Sequence, residues 1–251
     1  MQPIVVNGQN IDGVSLILQP GVTISGNITV ESAGAQAPTD YSGFRVDAPD
    51  VAPLPFGAGP GGGRGGAGGE RAQKNGAFAV GDLVPGKHYI RVTGGAPAAA
   101  QGRGQGSAQV QWTLKSVIVA GQEVSDQPVD LKPGQNLDNV TVVLTDRTTE
   151  ISGTVRDGRS EPLSGFTVIV FSSEPQFWGA QSRHIRATRT DTAGTFRVSG
   201  MPPGDYLAVA VDAVEQGEWF DPAYLEQIRP GARQITINEG EKKTQDLRGP
   251  S

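Results

Sequence analysis

The sequence has no cysteine, only two histidines and no long apolar run. The lack of cysteine excludes disulfide bonds and thiolate metal sites. A membrane-spanning helix needs roughly 20 apolar residues in succession, and no such run is present. The formal net charge of -5 lacks the positive excess that a nucleic-acid-binding surface requires. We therefore expect a chain that does not span a membrane and has no nucleic-acid partner.

Glycine and proline, in contrast, are abundant, with 36 and 18 residues among the 251. This composition is typical of short strands joined by turns. One short helix is predicted at 222–228, because Asp221 is a favourable N-cap and Pro222 suits the first helical position. The alternation of apolar and polar residues predicts an all-β fold with strands at 14–18, 22–31, 42–48, 76–81, 88–93, 110–119, 139–144, 150–156, 166–172, 184–190, 194–199, 205–212, 233–237 and 243–248.

Two copies of one unit are visible along the chain. Residues 76–86 match residues 194–204 without a gap, and residues 24–30 match residues 151–155. Each copy then continues into an apolar strand that we align on its tyrosine, Tyr89 in the first copy and Tyr206 in the second. We expect both tyrosine rings to lie between two packed sheets.

A third segment recurs as well. Residues 8–18 closely match residues 134–144, and residues 240–247 are a weaker copy. Because the later copies end a unit, residues 8–18 resemble the last strand of a unit further upstream, in a longer tandem array to which Met1 was added. A natural cytoplasmic start is the alternative. The expected division is therefore a terminal strand of a preceding unit at 1–18, a first sandwich at 19–148 and a second at 149–251.

Two segments of the first unit are composed mostly of glycine and alanine, at 57–69 and 94–108. Such sequences bury too little apolar surface to offset the entropy of ordering the chain. We expect both to be surface loops, which a sandwich tolerates because the cost of closing a loop grows slowly with its length.

The second unit carries an ordered set of motifs that resembles the carboxypeptidase regulatory-like domain family. The motifs lie at 150–157, 161–170, 191–196 and 202–206. The resemblance implies a Greek-key β-sandwich of the prealbumin or transthyretin type, which is grouped with carbohydrate-binding-like folds. It implies two such sandwiches in tandem here, with the first more diverged. It also implies a bacterial secreted, periplasmic or cell-surface protein.

The residues that chemistry would need are sparse. His88 and His184 fall in different copies, so they cannot supply the His/Glu/His set of a zinc carboxypeptidase. The sequence has neither a nucleophile elbow nor a phosphate-binding glycine loop. Asp157, Asp191 and Asp212 lie near turns, where capping is the favoured interpretation over calcium binding. We expect no catalytic residue, no metal site and no cofactor, and therefore not an enzyme.

Aromatic residues outside the alternating strands leave two functions open. Their positions are Phe177, Trp178, Trp219, Phe220 and Tyr224. They either pack the short helix onto a sheet or offer a glycan-binding platform, for which Trp178, Trp219, Phe177 and Tyr224 are the candidates. The first function is a structural module that binds other domains or copies of itself by pairing a strand such as 1–18 with a sheet edge. The second is a carbohydrate-binding module.

Overall fold

The computed structural model describes residues 20–51, 69–95 and 110–250. The predicted terminal strand at 1–18 and nearly all of the two glycine-rich segments lie outside the described residues. The described part of the chain has an N-terminal half up to residue 148 and a C-terminal half from residue 149.

In the N-terminal half the central strand, β1, lies between an antiparallel and a parallel neighbour. The sheet order is β4-β1-β10-β7-β8, a second sheet has the order β3-β2-β6, and β5 pairs with β9. β1 is parallel to β10 and antiparallel to β4. The strands are β1 (Val22–Glu31), β2 (Phe44–Asp47), β3 (Glu70–Arg71), β4 (Ala77–Leu83), β5 (Gly86–His88), β6 (Arg91–Gly94), β7 (Thr113–Val119), β8 (Gln122–Glu123), β9 (Val129–Leu131) and β10 (Leu137–Thr145).

The C-terminal half has the same arrangement around its own first strand, β11. β14 pairs antiparallel with β11, and β17 and β18 pair parallel with its other edge. The second sheet has the order β13-β12-β15-β16. The strands are β11 (Glu150–Arg156), β12 (Thr167–Ser172), β13 (Ile185–Arg189), β14 (Thr195–Ser199), β15 (Gly204–Val211), β16 (Arg233–Ile237), β17 (Lys242–Thr244) and β18 (Leu247–Arg248).

The predicted helix is confirmed as α1 (Pro222–Ile228). Pro222 starts it, and the Asp221 side chain accepts a hydrogen bond from the backbone amide of Ala223 at 2.9 Å. Three-residue 3-10 turns lie at Pro175–Phe177, Glu218–Phe220 and Arg229–Gly231. The fold is therefore all-β with one short α-helix among the described residues, as the sequence predicts.

The two halves are compatible with the predicted repeat but differ at one edge. In the N-terminal half, β7 pairs with the outer edge of β10. No described strand pairs with the corresponding edge of β17 and β18. The chain between β15 and β16, where β7 would fall, contains α1 and two of the 3-10 turns instead.

Each half has its own apolar core. One cluster, which includes Ile24 and Phe44, belongs to the N-terminal half, and another, which includes Ile151 and Phe196, lies between the sheets of the C-terminal half. A third cluster, which we call the outer cluster, consists of Ile169, Phe171, Ile185 and Leu225. Every residue of β12 is buried, because the outer cluster covers the face that a sandwich usually exposes to solvent.

The alignment of Tyr89 with Tyr206 is wrong. His88 is 2% exposed and Tyr206 is fully buried, whereas Tyr89 is only half-buried. The gap-free match of 76–86 with 194–204, continued onwards, pairs His88 with Tyr206. Because successive side chains of a strand point to opposite faces, the shift of one residue turns Tyr89 away from the core.

Candidate functional site

A polar group with many hydrogen bonds lies where the two halves meet. Asp126 comes from the connection between β8 and β9, and Arg183 lies two residues before the start of β13. Arg183 Nε donates to Asp126 Oδ1 at 2.7 Å, and Nη2 donates to Oδ2 at 2.8 Å. Its Nη1 donates to the carbonyl oxygens of Leu114 and Lys115 at 3.1 and 3.0 Å. All three guanidinium nitrogens of Arg183 therefore bind the N-terminal half.

The ion pair of Arg183 and Asp126 is largely buried. The side chains of Arg183 and Asp126 are 11% and 22% exposed. Burial alone would raise the pKa of Asp126, but the hydrogen bonds and charge of Arg183, together with His184, outweigh it and hold that pKa well below its usual range. Bidentate arginine–carboxylate pairs combine charge with fixed geometry, so the contact specifies an orientation of the two halves.

His184 and Tyr206 extend the network into the C-terminal half. The Tyr206 hydroxyl donates to the carbonyl oxygen of Pro202 at 2.7 Å, so its oxygen accepts from His184 Nδ1 at 3.0 Å. His184 Nε2 lies 3.2 Å from Asp126 Oδ2, yet this buried nitrogen makes no well-aligned hydrogen bond. Phe177 stacks on the imidazole with ring centroids 4.3 Å apart. Burial raises the pKa of Tyr206, so its hydroxyl stays a donor.

Arg91 makes a second hydrogen-bonded contact between the two halves. Its Nε and Nη2 donate to the carbonyl oxygen of Gln181 at 3.2 and 2.7 Å, while Nη1 donates to Ser125 O at 2.9 Å. The guanidinium lies 4.6 Å from the centre of the Tyr89 ring. Burial lowers the pKa of Arg91 to about 10, which leaves it protonated at neutral pH.

Two of the predicted ligand-binding aromatics, Phe177 and Trp178, lie at this junction. Together with Tyr89 and Arg91 they line a cavity of about 40 Å³. A water molecule needs roughly 10–15 Å³ by this measure, so the cavity has room for little more than water. The indole Nε1 of Trp178 donates to Ser172 O at 2.7 Å, and its ring packs edge-to-face on Phe171.

The other two candidates, Trp219 and Tyr224, do not line this cavity. Trp219 and Tyr224 are half-buried and pack, with Phe220, against the outer cluster. Trp219 also lines a groove that contains neither Phe177 nor Trp178. Trp178 packs against the same outer cluster as Trp219 and Tyr224, whereas Phe177 lies at the junction on the imidazole of His184.

Two of the three turn aspartates, Asp157 and Asp191, act as caps. Asp157 Oδ1 accepts from the backbone amides of Arg159 and Glu161, and Asp191 Oδ1 accepts from those of Ala193 and Thr195. Within the described ranges, no three His, Cys, Asp or Glu residues form a group that could hold a metal ion. None of the helices described is long and apolar enough to cross a membrane.

The family model for the carboxypeptidase regulatory-like domain matches residues 150–248. The C-terminal half is therefore similar to carboxypeptidase regulatory-like domains. No curated protein matches the chain.

Solved structures of several bacterial proteins show similarity to this chain. The Bacillus anthracis TIE protein is 12% identical, with a TM-score of 0.28, over 91% of this chain and 34% of that one. A streptococcal ancillary pilin is 17% identical, with a TM-score of 0.30, over 91% and 62%. The shaft pilin SpaA from Lactobacillus rhamnosus GG is 12% identical, with a TM-score of 0.29, over 93% and 98%. The chain therefore spans about a third of the TIE protein and less than two thirds of the ancillary pilin.

Proposed function

We propose that the chain is a non-catalytic structural module of a bacterial extracellular or envelope protein, with two sandwich domains at 19–148 and 149–251 held in a fixed relative orientation. The observation that carries the proposal is the guanidinium of Arg183, whose nitrogens all bind the N-terminal half across the junction. A module that transmits a defined direction along a longer protein needs such a contact, whereas two freely jointed domains do not.

The connection between the domains supports the same proposal. Only four residues separate the end of β10 from the start of β11. The Thr148 hydroxyl donates to Gln111 O at 3.1 Å, and the Thr149 hydroxyl donates to Met201 O at 2.5 Å. The two ends of this short linker are therefore bonded to different domains, which limits hinge motion.

Small-angle X-ray scattering tests the proposal. The profile of the wild-type chain should fit one relative orientation of the domains, and Arg183→Ala should broaden the distance distribution. Arg159→Ala is the matched control, because Arg159 lies on an exposed turn and its side chain makes no hydrogen bond to a described residue. A wild-type profile that requires an ensemble of orientations contradicts the proposal.

The finer part of the proposal concerns self-association. Residues 8–18 resemble β10 in sequence. Because β10 itself occupies that position in the sheet, residues 8–18 are a candidate for pairing with a sheet edge of another copy. The outer edge of β17 is open in the described residues, but Lys243 pairs with buried Ile151 and donates to Thr236 O at 2.8 Å. A lysine that points inward protects an edge from pairing, so we expect another edge to be used.

Light scattering tests this part. Removal of residues 1–18 should lower the average mass of the wild-type protein at high concentration. An unchanged mass and an unchanged solubility would count against strand pairing by this segment, while leaving the fixed orientation of the domains untouched.

A further inference from the structure

A groove of about 460 Å³ lies on the outer face of the C-terminal domain. Its floor comes from the far end of the sheet, where Thr167 of β12 pairs with Arg189 of β13. Its wall is the segment after β15, with Asp212, Gln216 and Trp219. Small-molecule sites are typically about 300–1,000 Å³, so the groove has the dimensions of a ligand site.

The sequence forms this groove because the outer cluster covers only part of the sheet. Phe171 and Ile185 pair at one end of β12 and β13, and Leu225 of α1 packs in the same cluster. At the other end the paired positions are occupied by Thr167 and Arg189 instead. The segment between β15 and α1 therefore lies over Thr167 and Arg189 as well as Ala187, and it leaves a groove of mixed polarity there.

The polar groups of the groove are available for a ligand. The side chains of Arg189, Asp212 and Gln216 make no hydrogen bond or ion pair with any residue in the described ranges, and all three residues are exposed. Arg183 at the junction, in contrast, binds through all of its nitrogens. Burial of groups without partners would be costly, so a ligand here must itself donate and accept hydrogen bonds.

The charges narrow the class of ligand. Arg189 and Asp212 carry opposite charges, so the groove favours neither a phosphate nor an ammonium group over a neutral compound. Trp219 adds an aromatic surface that the apolar C–H face of a sugar ring can contact. A carboxylate, a guanidinium and an amide around such a surface match hydroxyl groups, which both donate and accept.

We propose that this groove binds a neutral saccharide, with Trp219 against the ring and Asp212, Arg189 and Gln216 on its hydroxyl groups. The proposal goes beyond the structural role argued above and does not depend on it. It also differs from a platform built of all four predicted aromatics, because Trp178 lies outside the groove.

An array of neutral and anionic glycans, followed by NMR titration of the wild-type protein with a neutral glycan that binds, tests the proposal. The expected result is saturable shifts of the Trp219 indole N–H and the Gln216 side-chain amide. Asp212→Ala and Gln216→Ala should each weaken binding at least about tenfold, equivalent to about 1.4 kcal/mol. Both residues are exposed, so these variants should fold, and Trp219→Phe tests the ring contact while keeping an aromatic side chain.

The control is Trp178→Phe, which should bind as the wild type does. The proposal is overturned if no neutral glycan binds the wild-type protein, if only anionic glycans bind, or if the Asp212 and Gln216 variants bind normally. Loss of binding in Trp178→Phe alone would also overturn it, because the ligand would then lie at the junction of the domains.

Discussion

His88 and Tyr206 occupy equivalent positions in the two halves and make the same polar contact with different side chains. His88 Nε2 lies 2.7 Å from Val84 O, and the Tyr206 hydroxyl lies 2.7 Å from Pro202 O. In each case the carbonyl belongs to the residue four positions earlier, in the turn before the strand. The histidine of the first copy thus contacts the turn carbonyl that the tyrosine contacts in the second copy.

This relationship predicts that His88 is essential to the stability of the N-terminal half. Its Nδ1 also faces Ala48 O at 2.9 Å, and its Nε2 lies 3.1 Å from Asp50 Oδ1, so His88→Ala removes these polar contacts and leaves a cavity. We expect a loss of about 2–4 kcal/mol in the free energy of unfolding. Tyr206→Phe, which removes only the hydroxyl, should cost about 0.5–1.5 kcal/mol. Denaturant titration checks both values, and two variants as stable as the wild type would contradict the assignment.

Two glycines are predicted to be required by close strand contacts. A Cβ atom at Gly26 of β1 would lie 1.9 Å from Val140 O, and one at Gly153 of β11 would lie 2.0 Å from Gln245 O. Since backbone must move to admit it, alanine at either position should cost about 1–3 kcal/mol or more. Gly81→Ala is the matched control, because its Cβ would meet only Thr23 Oγ1, at 3.8 Å. Equal melting temperatures for all three variants would contradict this packing.

The lowered pKa of Asp126 predicts that the stability of the fold decreases at acid pH. Its pKa is held below the usual range in the folded chain, against the effect of burial, by Arg183 and His184. The unfolded chain therefore takes up this proton first, at an ordinary aspartate pKa of about 3.9. The contribution is complete above that pH and is lost as the pH falls below it. Unfolding free energies between pH 5 and pH 2 should fall less steeply in Asp126→Asn than in the wild type, and identical slopes would contradict the assignment.

The sequence predicts those parts of the fold whose signal is local. The structure reproduces the predicted bounds of β1, β11 and β16, because each is a run of alternating residues bounded by turns. The sequence does not predict β3, β8 and β9, since two or three residues are too few to show a period. The sequence predicts the helix because its cap and its first proline are adjacent.

The junction could not be predicted from the sequence. Asp126 and Arg183 are 57 positions apart and belong to different copies, so no motif links them. The aromatic residues were correctly placed outside the strands, but whether Trp178 faces solvent depends on where Ser172 and Phe171 lie in space. Aligning the copies by residue type pairs Tyr89 with Tyr206, whereas the gap-free match of the preceding residues pairs His88 with Tyr206.

Residual dipolar couplings test the central claim, a fixed orientation of the two domains, most directly. In a weakly aligning medium, couplings from both halves of the wild-type chain should fit a single alignment tensor, and Arg183→Ala should give tensors that differ in magnitude. Wild-type halves that require two different tensors would contradict the claim that Arg183 and Asp126 hold the domains together.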